Sequence, residues 1–422
     1  MIWFFGAFFV LLLLGAPISI AIGSGAILGC MALGYPIMVI VQKMVSGVDS
    51  FLLIAIPLFV LAGNLMNAGK ITEKLFDFAR ELVGWIPGGL GHANIVASVI
   101  FAGMSGSATA DAGGLGTIEM EAMTTNGYDP EFSASITAAS SVIGPIFPPS
   151  IPLIIYGSVA SVSVSSLFMG GVVPALLICL ALMALVLMYA VKRHYQRTPF
   201  NLLRLIKQFF ASILSIITPL IILSGFTLGW FTPTEASSVA VGYAIVISAV
   251  VYRTLNWKTL KKCLLDSALT SANTLFIIGT STLFTYVLVK EGISTQIANF
   301  ILSISESRVV ILLFINLILL ILGMFMEPGA ILTLMLPVLL PIAAQLGLNL
   351  VHFGVVVVLN LMIGQVTPPF GVCLFIISDV GKVKLETLYK SILPFCIPLV
   401  AVLFLITYCP VLVTALPTAL LG

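Results

Sequence analysis

Ten apolar runs divide the chain, at about 2–15, 17–41, 51–68, 133–160, 168–191, 208–230, 234–252, 267–289, 351–377 and 391–415, each closed by charge or by Gly and Pro. A helix needs about 20 predominantly apolar residues to cross the hydrocarbon core of a bilayer. Only 8% of the 422 residues are charged and 60% are hydrophobic, where aqueous domains carry about 25% charged residues. So few charges could not cover the surface of a soluble fold. The bilayer is therefore the main solvent, and the chain reads as an all-α polytopic membrane protein. The first run is short for a crossing. It has no basic residue before Lys43, so it lacks the positive start of a cleaved signal peptide and reads as a retained membrane helix.

Two further stretches, 87–125 and 308–345, are apolar but interrupted. The first contains Gly103-Met104-Ser105-Gly106-Ser107-Ala108-Thr109-Ala110-Asp111 and the second Gly323-Met324-Phe325-Met326-Glu327-Pro328-Gly329. Irregular backbone at membrane depth survives only inside protein or beside water, so both are expected to be re-entrant hairpins. Positive charge tests that topology, because cytoplasmic loops hold the excess of Lys and Arg. If each hairpin enters and leaves on one face, the segments 69–91, 192–207, 253–266 and 378–390 share a side and hold fifteen of the eighteen Lys and Arg. The other side keeps Lys43, Lys290 and Arg308. The basic side is then the cytoplasm, and both termini face outward.

Several classes of function find no support. No basic face interleaved with aromatics speaks for nucleic acid. His92, His194 and His352 are far apart, without metal-ligand spacing, and no phosphate-binding Gly-x-x-x-x-Gly-Lys-Ser/Thr loop occurs. The six cysteines are scattered through apolar runs and read as buried small hydrophobes. No cofactor is expected.

Sliding the sequence on itself by 220 residues brings Ile143-Gly144-Pro145-Ile146-Phe147-Pro148-Pro149 onto Ile363-Gly364-Gln365-Val366-Thr367-Pro368-Pro369, and Gly103-Met104 onto Gly323-Met324. The chain thus divides into a first repeat, 1–191, a basic linker, 192–207, and a second repeat, 208–422. By the charge topology the first hairpin opens to the cytoplasm and the second outward, so the repeats are inverted. Inverted repeats that meet at broken helices near the midplane mark many secondary transporters. An old duplication inside a channel or membrane enzyme is the plainer alternative.

The breaks could carry chemistry. Proline has no amide proton and disfavours helix in the residue before it, so the run 133–160 must open around 144–149, freeing carbonyls such as those of Gly144 and Phe147. The run 351–377 opens likewise around 364–369, where Thr367 adds a hydroxyl. A bare carbonyl in low dielectric is costly, and Na⁺ satisfies several at once because hard cations take oxygen ligands. A simple proline kink is the competing reading. At the first tip, Ser105, Ser107 and Thr109 add oxygen, and a half-helix starting near Ala110 and Asp111 would aim amide dipoles at a carboxylate. Close helix packing by small residues explains the same composition. Asp111 reads equally as a helix cap or a substrate contact. Glu327, at the second tip, is an ion ligand, a proton carrier or a cap. Glu119 and Glu121 are expected to face cytoplasmic water. Lys70, Lys74 and Arg80 with Glu73, Asp77 and Glu81 suggest an amphipathic interfacial arm with opposite charges at i,i+4 spacing.

At Phe101-Ala-Gly-Met-Ser-Gly-Ser-Ala-Thr-Ala-Asp-Ala-Gly-Gly-Leu-Gly116, Ile143-Gly-Pro-Ile-Phe-Pro-Pro-Ser-Ile151, Phe325-Met-Glu-Pro328, Val351-His-Phe-Gly354 and Thr367-Pro-Pro369 the chain resembles the large membrane subunit of tripartite ATP-independent periplasmic (TRAP) transporters. The resemblance covers nearly the whole chain. It implies Na⁺-coupled symport of a small organic anion, of C4-dicarboxylate or sialic acid type, across a bacterial inner membrane, with both termini periplasmic. It implies an elevator, in which the two hairpins with 133–191 and 351–415 slide against a scaffold of the remaining helices. Two partners follow, a small four-helix membrane subunit, expected to be a separate chain, and a soluble periplasmic substrate-binding protein. Carried over residue by residue, Ser105, Gly144, Phe147 and Pro149 form one Na⁺ site. The repeat suggests Gly323, Gly364, Thr367 and Pro369 for a second, with Ser107, Thr109, Asp111 and Glu327 toward the substrate. The second tip departs from the first, with Glu327-Pro328 where the first has Ser107-Ala108. Two rivals remain: a stand-alone carrier or antiporter of like architecture that needs no binding protein, and an intramembrane hydrolase pairing Asp111 with Asp379. The resemblance implies no enzyme.

Overall fold

The computed structural model describes residues 2–195, 197–227, 229–303 and 305–421, and among them all regular structure is helical. Three short helices open the chain, α1 (Ile2–Leu13), α2 (Ile18–Ala32) and α3 (Ile37–Val48). The run expected over 17–41 is thus cut in two: Gly34 turns through φ +73° and Pro36 caps α3, so one helix cannot run through both. A 3₁₀ turn at Phe51–Ile54 leads into α4 (Ala55–Ala68), and α5 (Ile71–Val83) follows. Ile71, Leu75, Phe76 and Ala79 bury one face of α5, as an amphipathic arm requires. Its ion pairs form at Lys70–Glu73, 3.9 Å, and Arg80–Glu81, 4.0 Å, and not at the expected i,i+4 spacing, where the residues that meet carry like charges, Lys70 with Lys74 and Glu73 with Asp77.

The first hairpin rises through α6 (Gly89–Ser105), turns at Gly106 and Ser107, and returns through α7 (Ala108–Ala110), a π-turn at Asp111–Leu115 and α8 (Gly116–Thr125). The first broken helix is α9 (Pro130–Ser141), an uncoiled stretch and α10 (Ile151–Ala160), followed by α11 (Val164–Arg193). Then come α12 (Leu202–Thr227), α13 (Pro233–Val246), the 34-residue α14 (Trp257–Lys290) and α15 (Ile293–Ser303). The second hairpin is α16 (Arg308–Phe325) and α17 (Pro328–Gln345), and the second broken helix is α18 (Leu350–Gly364) and α19 (Val372–Gly381). The chain closes with α20 (Leu385–Tyr408) and α21 (Val411–Leu421). The run expected over 391–415 therefore stops at Cys409, before Pro410. Among the described residues eight helical stretches are long and apolar enough to cross a membrane, and both arms of the second hairpin are among them.

Helices α18, α19 and α20 begin 220 or 221 residues after α9, α10 and α11. The packing is exchanged between the two sets: α10 lies on the second hairpin's α17, and α19 on the first hairpin's α8. Helix α20, 24 residues and about 36 Å long, fixes where the hairpins open. Near its start Ser391 bonds Ser135 at 2.7 Å and reaches the Glu131 carbonyl at 3.3 Å, beside the base of the first hairpin. At its far end the Tyr408 hydroxyl donates to the Val309 carbonyl at 3.1 Å, at the base of the second. The hairpins therefore open toward opposite ends of α20. At the first base, Asp129 accepts from the Tyr195 hydroxyl at 2.5 Å and pairs with Arg193. Those two partners hold its carboxyl below the usual carboxylate range.

Two buried polar clamps tie each hairpin to its broken helix. Asn94 on α6 accepts from Ser140 of α9 at 2.8 Å and donates to Thr137 at 2.7 Å. In the second copy Asn360, the repeat mate of Ser140, donates to Asn316 of α16 at 2.9 Å, and Asn316 donates to Thr407 at 3.1 Å. Asn360→Ala should destabilise the protein by about 0.6–1.7 kcal/mol, the span measured for side-chain hydrogen bonds between membrane helices. Thermal unfolding of the purified protein reads this directly. An unmoved transition would mean the clamp contributes nothing.

Candidate substrate and ion site

The first tip is built by what its backbone can adopt. Gly106 sits at φ +62°, a left-handed conformation that suits glycine. A Cβ there would meet the Pro149 carbonyl oxygen at 2.6 Å. Ser107 is extended and caps the returning arm, its hydroxyl accepting from the Ala110 amide at 3.4 Å. The tip presses on the break between α9 and α10, where the Ile151 amide donates to the Gly106 carbonyl at 3.3 Å and the Ser150 hydroxyl donates to the Pro145 carbonyl. Among the described residues, no donor reaches the carbonyls of Gly144 or Phe147.

Asp111 lies behind this tip, 2% exposed, in the π-turn. Its Oδ1 accepts from the Ser105 hydroxyl, and its Oδ2 is buried with no partner among the described residues. A methyl added at Gly144 would strike that Oδ2. Glu119, expected to face water, is 1% exposed and accepts from Asn94 at 2.8 Å. The sequence alone could not bring Asn94 across from the other arm. Among the described residues no Lys or Arg pairs with Asp111, Glu119 or Glu327.

The second break is made differently. The Gly364 carbonyl accepts from the Thr367 amide at 3.0 Å, and the Thr367 hydroxyl donates to the Ile363 carbonyl at 2.7 Å. Gly323 and Gly364 are where two backbones touch: a Cβ on Gly323 would lie 2.9 Å from the Leu361 carbonyl oxygen and 3.2 Å from the Gly364 α-carbon. Pro369 and Phe370 are exposed, whereas Pro148 and Pro149 are buried. The two breaks carry like sequences in unlike surroundings.

Both tips reach one cavity of about 390 Å³, lined by Ser105, Ser107 and Thr109 from the first, Glu327 from the second, and Gln365 from the second break. That volume falls within the usual range for small-molecule sites. Asp111, Gly144, Phe147 and Pro149 stand behind its wall, and Gly323, Gly364, Thr367 and Pro369 are also outside the lining. Among the described residues Glu327 is the only charged one that lines it, and none of them hydrogen-bonds its Oε2. Helices α4 and α14 complete the wall with Asn64, Asn67, Thr270 and Thr274. Reading the sequence missed these four and Gln365. Their signal was polar side chains at i,i+3 and i,i+4 spacing inside long apolar runs, where polar groups are rare and tend to face a cavity.

Residues 5–412 match the family described as the tripartite ATP-independent periplasmic transporter, DctM component. The chain belongs to that family. Within the TRAP large permeases it is 44% identical over 382 residues to the sialic acid TRAP transporter large permease protein SiaM of Vibrio cholerae, covering 90% of each chain. It is 45% identical over 382 residues to the sialic acid TRAP transporter permease protein SiaT of Haemophilus influenzae, covering 90% of this chain and 62% of that one. The solved YdaH transporter of Alcanivorax borkumensis shares the fold at 13% identity, with a TM-score of 0.64 over 87% of this chain and 86% of that one.

Gly144→Ala tests the buried break of this TRAP permease. Overpacking commonly costs about 1–3 kcal/mol, here directed at Asp111 and the free carbonyls, so transport should fall about tenfold or more while the protein remains monodisperse. Initial-rate uptake into proteoliposomes measures it. Wild-type rates would remove this break from the site.

Proposed function

We propose that the chain is the membrane permease of a Na⁺-driven symporter that takes a small organic anion into the cell through the bacterial inner membrane. The single observation that carries this reading is the cavity where both hairpin tips and the second break meet. The openings of the two hairpins at opposite ends of α20 support an inverted repeat, with both termini periplasmic. That geometry also supports alternating access by an elevator, the hairpins and broken helices moving against α4 and α14. A small four-helix subunit and a soluble binding protein complete the system.

The chemistry follows from oxygen and charge. The Ser105 hydroxyl and the carbonyls of Gly144, Phe147 and Pro149 offer one Na⁺ a set of hard ligands, with Asp111 behind them holding the Ser105 hydroxyl. Gly323, Gly364, Thr367 and Pro369 offer a second, where the Gly364 carbonyl keeps a lone pair beyond its bond to Thr367. The substrate takes Ser107, Thr109 and Gln365. Glu327 can only accept hydrogen bonds when ionised, which suits a substrate rich in hydroxyls. A sialic acid meets that requirement better than a C4-dicarboxylate does, and the 44% identity to a sialic acid permease agrees.

Reconstitution tests the reading. The chain, a small subunit and a sialic acid-binding protein in proteoliposomes should accumulate radiolabelled sialic acid under an inward Na⁺ gradient. Accumulation driven equally by a proton gradient without Na⁺, or of succinate in preference to sialic acid, would refute the coupling or the substrate respectively. In the same vesicles Thr367→Ala should raise the Na⁺ concentration for half-maximal uptake several-fold. An unchanged Na⁺ titration would dissolve the second ion site.

A further inference from the structure

Helix α14 carries Lys258, Lys262, Asp266, Thr270 and Thr274 at four-residue intervals, so each side chain neighbours the next along a ridge that winds round the helix by about 40° per step over a length of about 24 Å. Thr270 and Thr274 line the central cavity. Lys258, Lys261, Lys262 and Asp266 line a second, more open cavity of about 720 Å³. The two cavities share Asn64 and Asn67 of α4. Asn64 also donates to Ser267 of α14 at 2.8 Å, which sets the two helices side by side along the path. A polar seam therefore runs from the lysine-rich end of α14 to the place where the tips meet.

From this juxtaposition we infer that the seam between α4 and α14 is the cytoplasmic route of the carried anion, and that Lys258, Lys261 and Lys262 form a vestibule that concentrates anions at its mouth. The inference rests on the central cavity being the anion site. Among the described residues the four ion pairs all lie elsewhere, so these lysines have no carboxylate partner in salt-bridge range. Three ammonium groups against the single carboxylate of Asp266 leave the mouth positive. Clefts lined by one sign of charge raise the local concentration of the opposite ion. The general excess of positive charge on the cytoplasmic side accounts for lysines at this end of α14. It does not account for a four-residue polar track continuing inward from them, nor for paired asparagines on the facing helix at the junction of two cavities.

The test uses the full chain in inside-out membrane vesicles, with Cys263→Ala and Cys409→Ser removing the vestibule thiol and the exposed one. Thr270→Cys is then modified from the cytoplasmic face by two small methanethiosulfonate reagents, an anionic sulfonate and a cationic trimethylammonium. The sulfonate should be favoured, and replacing all three lysines by glutamine should lower the sulfonate-to-ammonium rate ratio about tenfold. Replacing them by arginine should preserve the ratio, which separates charge from damage to the fold. Salt at 0.5 M, as a chosen condition, should flatten the preference by screening. A Thr270→Cys thiol unreactive from this face, or a ratio unmoved by the glutamines, would overturn the inference. Thiol reactivity needs no transport, so failed uptake with an intact preference would count against the transport reading and leave the seam standing.

Discussion

A main-chain carbonyl stripped of its helical donor must find another partner before it can stay at membrane depth. Much of this architecture answers that requirement. The Pro-Pro pairs at 148–149 and 368–369 forbid the donors that would close the helices. The breaks in turn serve the hairpin tips: the Ile151 amide donates to the Gly106 carbonyl, and in the second copy the Gly371 amide donates to the Met324 carbonyl at 3.1 Å. Each break thus caps the tip that packs against it. That contact explains why a hairpin stops where a helix opens, since the tip carbonyl would otherwise be bare at membrane depth.

The copies use this arrangement unequally. In the first, the break is wholly buried, its Gly144 and Phe147 carbonyls lack donors, and a half-paired carboxylate stands against Gly144. In the second, Thr367 closes the turn with its amide and its hydroxyl, and Pro369 and Phe370 are exposed. A carrier that opens to alternate sides must at any moment hold its two halves in different surroundings. One sequence motif in two environments, one sealed and one open, is what such a device would look like at rest.

The breaks were legible because proline acts locally: the missing amide at 148 and 149 ends a helix whatever surrounds it. Charge raised the expectation of opposed openings, since fifteen of eighteen cations share a side if each hairpin enters and leaves on one face. Local signals were also overlooked. Gly34 with Pro36, and Cys409 with Pro410, each divide a run that hydrophobicity alone joins. What stayed hidden depends on partners distant in sequence. Glu119 is buried because Asn94 reaches it from the opposite arm. Gly323 and Gly364, expected as ligand positions, are also where the packing demands the absence of a side chain. Asn64, Asn67, Thr270 and Thr274 drew no notice, because a lone polar residue in a membrane helix gains meaning only once the facing helix is known.

The electrostatics of the cavity bear on the proposed coupling. Among the described residues its lining offers a carboxylate and several neutral oxygens and amides, with no lysine or arginine. An anion entering alone would leave water for a site of its own sign, and an uncompensated buried charge is strongly disfavoured. Cations in the adjoining breaks would reverse that balance through the same oxygens the broken helices leave bare. Anion occupancy would then be favourable only with the cations in place, and the cations would be held more tightly with the anion present, as reciprocal linkage requires. Coupling of this kind asks for no separate linking machinery. It follows from a binding site that lacks positive charge of its own, set beside main-chain oxygens that lack donors.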